Sequence, residues 1–236
     1  MIGILVELLV SWLLLRWIEQ KNLLALGLRP NSQRIKGFTI ALLMAILVPT
    51  AIYWGISLLV HNPYRVNPAY TWKAFGRAIA YLCKAVLYED LLFRGALLYI
   101  LIHRIGPVKA VWISAACFGI YHWFSWGVLG QPVQMAIVFL TTGMAGYIFA
   151  LAFRKTGSLY TPFALHFGYD FATMVLFSKD KGIGAQLLLP AYAKDPVTPG
   201  VFVSLITLLV YYTGFFIITL LYLRSLKSSQ DSNSPR

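Results

Sequence analysis

Three short stretches of this chain combine acids, histidines and an arginine at one-turn spacing. They are Glu89-Asp90-Leu91-Leu92-Phe93-Arg94, Phe118-Gly119-Ile120-Tyr121-His122 and His166-Phe167-Gly168-Tyr169-Asp170. Each lies in an otherwise apolar run, where a charge at the centre of a membrane helix costs roughly 2.5–3.5 kcal/mol. A chain that accepts this on three separate segments is expected to use the groups together. Acids and histidines converging inside a helical bundle suggest hydrolysis within the membrane.

The spacing says which groups can meet. Asp90 and Arg94 are four residues apart with the acid first, the favoured order for a pair on one helix face. Glu89 points about 100° away from that face and lacks the partner. An apolar bundle penalises a charged carboxylate and brings it toward the range useful for general acid or base work. Phe118 stands one turn before His122, so its ring brackets the imidazole. His166 and Asp170 again share a face, and the acid could accept a hydrogen bond from the imidazole and fix its tautomer. Gly168 between them leaves room for another helix or a substrate. Taken singly, each stretch has a plainer reading: a packing network between helices, an interfacial histidine, a polar pair that holds bundle register. Together they run acid, histidine, histidine-acid over three segments and include every deep-lying histidine, since His61 and His103 stand at segment ends. A joint site is the better account. Lys84, five residues before Glu89, either snorkels or counters one of the acids.

The elements that must position these groups are transmembrane helices. The chain has 236 residues, 59% hydrophobic and 12% charged, with a mean hydropathy of +0.70. Soluble domains carry about 25% charged residues, so an all-α, polytopic membrane bundle is expected. About seven apolar segments (six to eight) reach spanning length, near 2–18, 37–60, 72–103, 107–125, 132–154, 159–178 and 200–223. The segment 72–103 is too long for one crossing and must tilt, protrude or break. The first run carries Glu7, no basic leader region and no small-residue cleavage site, and reads as a retained span. A single membrane domain over 1–236 is expected, with a disordered polar tail at 226–236.

The net charge of +12 does not call for nucleic acid. The basic residues gather in short loops, as topogenic charges do, and their alternation fits seven spans with the C-terminal end cytoplasmic. Pro107, Pro132 and Pro162 stand near helix starts, with Thr161 as an expected N-cap. Gly143 and Gly146 are expected to allow close helix packing. Cys83 and Cys117 lie in apolar runs and suggest neither a disulfide framework nor a cysteine metal motif.

The order Glu-Asp-x-x-x-Arg, Phe-x-x-x-His, His-x-x-x-Asp resembles the three motifs of the CAAX protease and bacteriocin-processing family, over about residues 72–178. Tyr88 to Gly95 is especially similar, through the Phe-Arg-Gly that follows the acidic pair. The resemblance implies an intramembrane endopeptidase acting on a membrane-associated peptide or protein. Carried over, Glu89 would activate water, His122 would hold and polarise it, His166 and Asp170 would face the oxyanion, and Arg94 would orient the acids, with Asp90 in the same catalytic set. The second acid is Asp90 where the family typically has Glu. The third motif ends in Asp170 where the prenyl endopeptidases have Asn, so Asp170 is either protonated or orients His166. The family has been described both as metalloproteases and as glutamate-type hydrolases. No His-Glu-x-x-His is present, which favours the metal-free form with no cofactor. If a divalent metal such as zinc were bound, Glu89, His122, His166 and Asp170 would be its ligands.

Expected partners are the lipid bilayer and a peptide or membrane-protein substrate, with no nucleic acid, in a bacterial inner membrane. Two other readings stand beside the protease: a non-catalytic bacteriocin-immunity or scaffold protein, and a proton-coupled transporter, since buried acids and histidines also form proton relays. No inverted repeat of the transporter kind is visible.

Overall fold

The structure, a computed structural model, describes residues 2–177 and 186–226. The expected tail lies outside the described residues beyond Leu226. The helices are α1 (Ile2–Ile18), α2 (Ser32–Leu59), α3 (Trp72–Arg94), α4 (Ala96–Ile105), α5 (Pro107–Ser125), α6 (Pro132–Thr156), α7 (Tyr160–Asp170) and α8 (Val201–Ser225). Of these, α2, α6 and α8 are long and apolar enough to cross a membrane. Along α8, Phe202, Leu205 and Leu209 are 75%, 60% and 62% exposed, as befits a lipid-facing surface. The protein is a multi-pass membrane protein.

The long segment at 72–103 breaks in two. Thr71 caps α3 by accepting from the Ala74 N–H at 3.1 Å. The helix then stops at Gly95, immediately after Arg94. A side chain there would collide with the Leu91 carbonyl oxygen, so glycine is what lets the chain turn from α3 into α4. Asn31 caps α2 through the Arg34 N–H at 2.8 Å. Pro107 and Pro132 open α5 and α6, as expected.

Thr161 is not the cap of α7. The helix begins one residue earlier at Tyr160, and Thr161 is buried in its first turn. The cap position is Leu159, with no side-chain cap hydrogen bond, and Ser158 Oγ accepts from the Tyr160 N–H at 3.3 Å. After Asp170 the helix widens into a π-helical turn, Phe171–Leu176. Such widenings recur at functional sites.

The all-α expectation misses one small feature. Strand β1 (Tyr64–Val66) pairs antiparallel with β2 (Leu188–Pro190), Tyr64 opposite Pro190 and Val66 opposite Leu188. Three-residue strands flanked by Pro63 and Pro68 are too short to show a period-two pattern.

Two close helix crossings set the site. At Gly146 an added Cβ would meet Phe118 Cβ at 3.0 Å and Ala115 Cα at 3.1 Å, so α6 lies tight on α5. Gly143 makes only an ordinary contact, 3.8 Å to the Ala115 oxygen. At Gly168 an added Cβ would meet Ala45 Cβ at 2.8 Å and the Leu42 oxygen at 3.0 Å. The room left between His166 and Asp170 is therefore taken by helix α2.

Candidate active site

Four of the expected side chains share one cavity. Glu89 from α3, His122 from α5, and His166 and Asp170 from α7 line a cavity of about 750 Å³ that also touches α6 and α8. Asp90 and Arg94 do not line it; they are 1% and 0% exposed and stand behind His166.

His166 is the hub. Its Nδ1 lies 3.3 Å from Asp90 Oδ1. Its Nε2 lies 3.7 Å from Glu89 Oε2 and 3.5 Å from Asp170 Oδ2. A carboxylate can only accept, so Nδ1 donates to Asp90. This corrects the sequence expectation that Asp170 fixes the tautomer: that task falls to Asp90, from a different helix. Asp170 instead shares the Nε2 side with Glu89. Glu89 and Asp170 keep 19% and 22% of their side-chain surface exposed, against 2% for Asp90. The two outer acids can meet water and the inner one cannot.

Asp90 is held in turn. Arg94 Nη1 donates to Asp90 Oδ1 at 3.2 Å, the i, i+4 pair that the spacing predicts. The guanidinium contacts Asp90 and not Glu89, so Arg94 orients one acid of the two. Its remaining face rests on aromatic rings, 4.0 Å from the centroid of Phe118 and 5.1 Å from that of Phe149. Cation–π contact of this kind is worth about 2 kcal/mol or more when desolvated. Arg94 Nε and Nη2 and Asp90 Oδ2 have no hydrogen-bond partner among the described residues. The pair is thus a buried, partly satisfied support for His166, set back from the cavity.

His122 is fixed by its own helix. Its Nδ1 is 2.8 Å from the Phe118 carbonyl oxygen, which can only accept, so Nδ1 carries the hydrogen. In the neutral ring Nε2 is then an acceptor. The rings of Phe118, Tyr121 and Trp126 surround the imidazole at 4.5, 5.3 and 5.4 Å.

Two groups escaped the sequence reading. Phe149 on α6 stacks on the His166 ring at 4.6 Å and 25°. No polar motif marks α6, and only the glycine one turn earlier hinted at a close approach. Tyr211 and Tyr212 of α8 line the same cavity, from a segment with no acid or histidine to draw notice. Lys84 also lines it, exposed on the α3 wall, and forms no ion pair with Glu89 or Asp90 among the described residues.

Among the described residues no group of three His, Cys, Asp or Glu side chains is arranged to hold a metal ion.

Comparison with known proteins agrees with the motif reading. No curated protein and no solved structure matches the chain. Residues 70–172, which hold Glu89, Asp90, Arg94, His122, His166 and Asp170, match the model of the Rce1-like type II CAAX prenyl endopeptidases. Residues 70–172 thus form an Rce1-like type II CAAX prenyl endopeptidase family domain.

Proposed function

We propose that this protein is a glutamate-type intramembrane endopeptidase whose bundle crosses the bilayer seven times, with α3 and α4 together forming one crossing and α7 with its π-turn another. The observation that carries the reading is the gathering of Glu89, His122, His166 and Asp170 around one cavity within a membrane protein. The family match supports peptide-bond hydrolysis as the class of reaction. Neither the fold nor the family match speaks for bacteriocin immunity.

The roles follow from the proton inventory. A water between Glu89 and His122 gives one hydrogen bond to His122 Nε2, which can accept, and loses its other proton to Glu89. The resulting hydroxide oxygen bonds to the scissile carbonyl carbon. Negative charge then grows on the carbonyl oxygen. His166, as an imidazolium donating through Nδ1 to Asp90, has an Nε2–H left for that oxygen. Asp170 in its protonated form adds a second donor. Preorganised donors of this kind are commonly worth about 3–4 kcal/mol each. Collapse breaks the C–N bond, and the proton on Glu89 passes to the departing amine. Asp90 and Arg94 act one step back, as positioning residues for His166.

The test is peptide hydrolysis by purified protein in liposomes, with a diverse peptide mixture read by mass spectrometry. Wild type, Glu89→Gln and His166→Ala are compared with and without a chelator. Cleavage that is absent from both variants and indifferent to chelator supports the proposal. Cleavage abolished by chelator and restored by added metal contradicts the glutamate-type mechanism.

A further inference from the structure

The direction in which the cavity opens can be set against the charge of the loops. Several contacts bring one set of chain ends together. Arg104, in the last turn of α4, donates to the Ile18 oxygen at 2.8 Å and pairs with Glu19, just after α1, at 3.0 Å. Ser158, before α7, donates to the Gly27 oxygen at 3.0 Å. Lys155, at the end of α6, reaches the Leu226 oxygen at 3.3 Å, just after α8. This end carries Arg16, Lys21, Arg29, Arg34, Lys36, Arg104, Lys109, Arg154, Lys155 and Arg224. The other end is held by the β1–β2 pair, by Asn62 donating to Asp195 at 2.8 Å, and by the Trp123 indole donating to the Met135 oxygen at 2.8 Å. Its described loops and helix starts carry Arg65, Lys73, Arg77 and Lys194. Short-loop lysine and arginine favour the cytoplasmic side, so the first end is cytoplasmic.

The cavity is closed toward that first end. Phe118 and Phe149 line its inner end, and the fully buried Arg94 packs behind their rings. All of its remaining walls lead the other way. On α3 the lining runs from Glu89 back to Tyr81, and on α5 it runs from Phe118 forward to Trp126. Tyr81 and Trp126 are 53% and 59% exposed. His122 stands three residues before the last residue of α5, roughly 5 Å from that end at about 1.5 Å per residue. Lys73, Arg77 and Lys84 are all exposed along the first half of α3, which lipid would penalise and water accepts. The α3 lining from Tyr81 to Glu89, with Lys84 on it, is the wall of an aqueous mouth.

We propose that the cavity opens on the non-cytoplasmic face of the membrane, and that its substrate is a polypeptide segment reaching the bilayer from that side, an exported or secreted chain. The substrate half of this inference rests on the protease reading; the orientation half does not.

The experiment uses the full chain with Cys83→Ser and Cys117→Ser as background. Gln131→Cys, in the loop between α5 and α6, and Gln33→Cys, at the start of α2, are each labelled with a membrane-impermeant maleimide in intact cells. The expected result is labelling of Gln131→Cys in intact cells and of Gln33→Cys only after permeabilisation. The reverse pattern, or equal labelling of both, overturns the proposal. Both variants are then reconstituted in liposomes of determined orientation, and a peptide mixture is added outside. Cleavage confined to liposomes with residue 131 outward supports the substrate assignment. Cleavage confined to those with residue 33 outward overturns it. Absence of cleavage from either side, with the labelling as expected, overturns the substrate half through the protease reading while the orientation stands.

Discussion

Gly168 offers the sharpest handle on how the fold controls the site. It sits midway between His166 and Asp170, and it is where α7 presses on α2. An alanine Cβ would lie 2.8 Å from Ala45 Cβ and 3.0 Å from the Leu42 oxygen. Carbon atoms attract at about 3.5–4.0 Å, so the two helices must part by roughly 1 Å to admit the methyl group. Neither obstacle can swing aside, because one is a Cβ and the other is backbone. Overpacking of this kind costs about 1–3 kcal/mol. His166 and Asp170 ride on the same turns of α7 and move with it, while Glu89, Asp90 and His122 stay on α3 and α5. A displacement of about 1 Å at a catalytic constellation costs up to about 100-fold. Gly168→Ala is therefore expected to lower kcat/KM for peptide hydrolysis by about 10- to 100-fold and to lower Tm in detergent. Ala45→Gly removes the nearer obstacle, so the double variant should recover most of the lost activity, with a coupling of about 0.5–3 kcal/mol in a double-mutant cycle. A Gly168→Ala protein as active and as stable as wild type, or a double variant no better than the product of the two singles, would refute the reasoning.

Other substitutions separate support from chemistry. Asp90→Ala removes the group that pairs with the fully buried Arg94 and leaves that charge uncompensated. A cost of about 3–5 kcal/mol is expected, seen as a lower Tm together with lost cleavage. Phe149→Leu takes away the ring stacked on His166, worth about 0.5–1.5 kcal/mol. Cleavage should fall by up to about tenfold, and Phe149→Tyr should restore it; a Phe149→Leu rate equal to wild type would remove Phe149 from the account.

Much of this arrangement is legible in the sequence because its strongest signals are local. Asp90 and Arg94 face each other across one helical turn, and that geometry is set by helix pitch alone. The same pitch puts Phe118 beside His122 and His166 beside Asp170. Partnerships between helices are a different matter. Asp90 holds His166 from 76 residues away, and nothing in the spacing of either motif distinguishes Asp90 from Asp170 as the partner of Nδ1. The acid nearest in sequence is the natural guess, and it is displaced by packing. Phe149 meets His166 only because Gly146 lets α6 lie close on α5. The break after Arg94 has a visible agent in Gly95. Choosing between a tilt and a break there requires the position of the Leu91 carbonyl, which only the folded helix supplies. The β1–β2 pair joins residues more than 120 positions apart through strands too short to carry a pattern.

Glu89 as the base that activates water is the step on which the proposed mechanism depends most. The most direct measurement is kcat/KM of Glu89→Gln against wild type, in the same liposomes and with a single cleavable peptide, alongside Tm for both proteins. Glutamine keeps the size and burial of the side chain and removes its capacity to take a proton. A loss of at least about 100-fold is expected, in line with general-base catalysis, at an unchanged Tm. A folded Glu89→Gln protein that cleaves at the wild-type rate would contradict it.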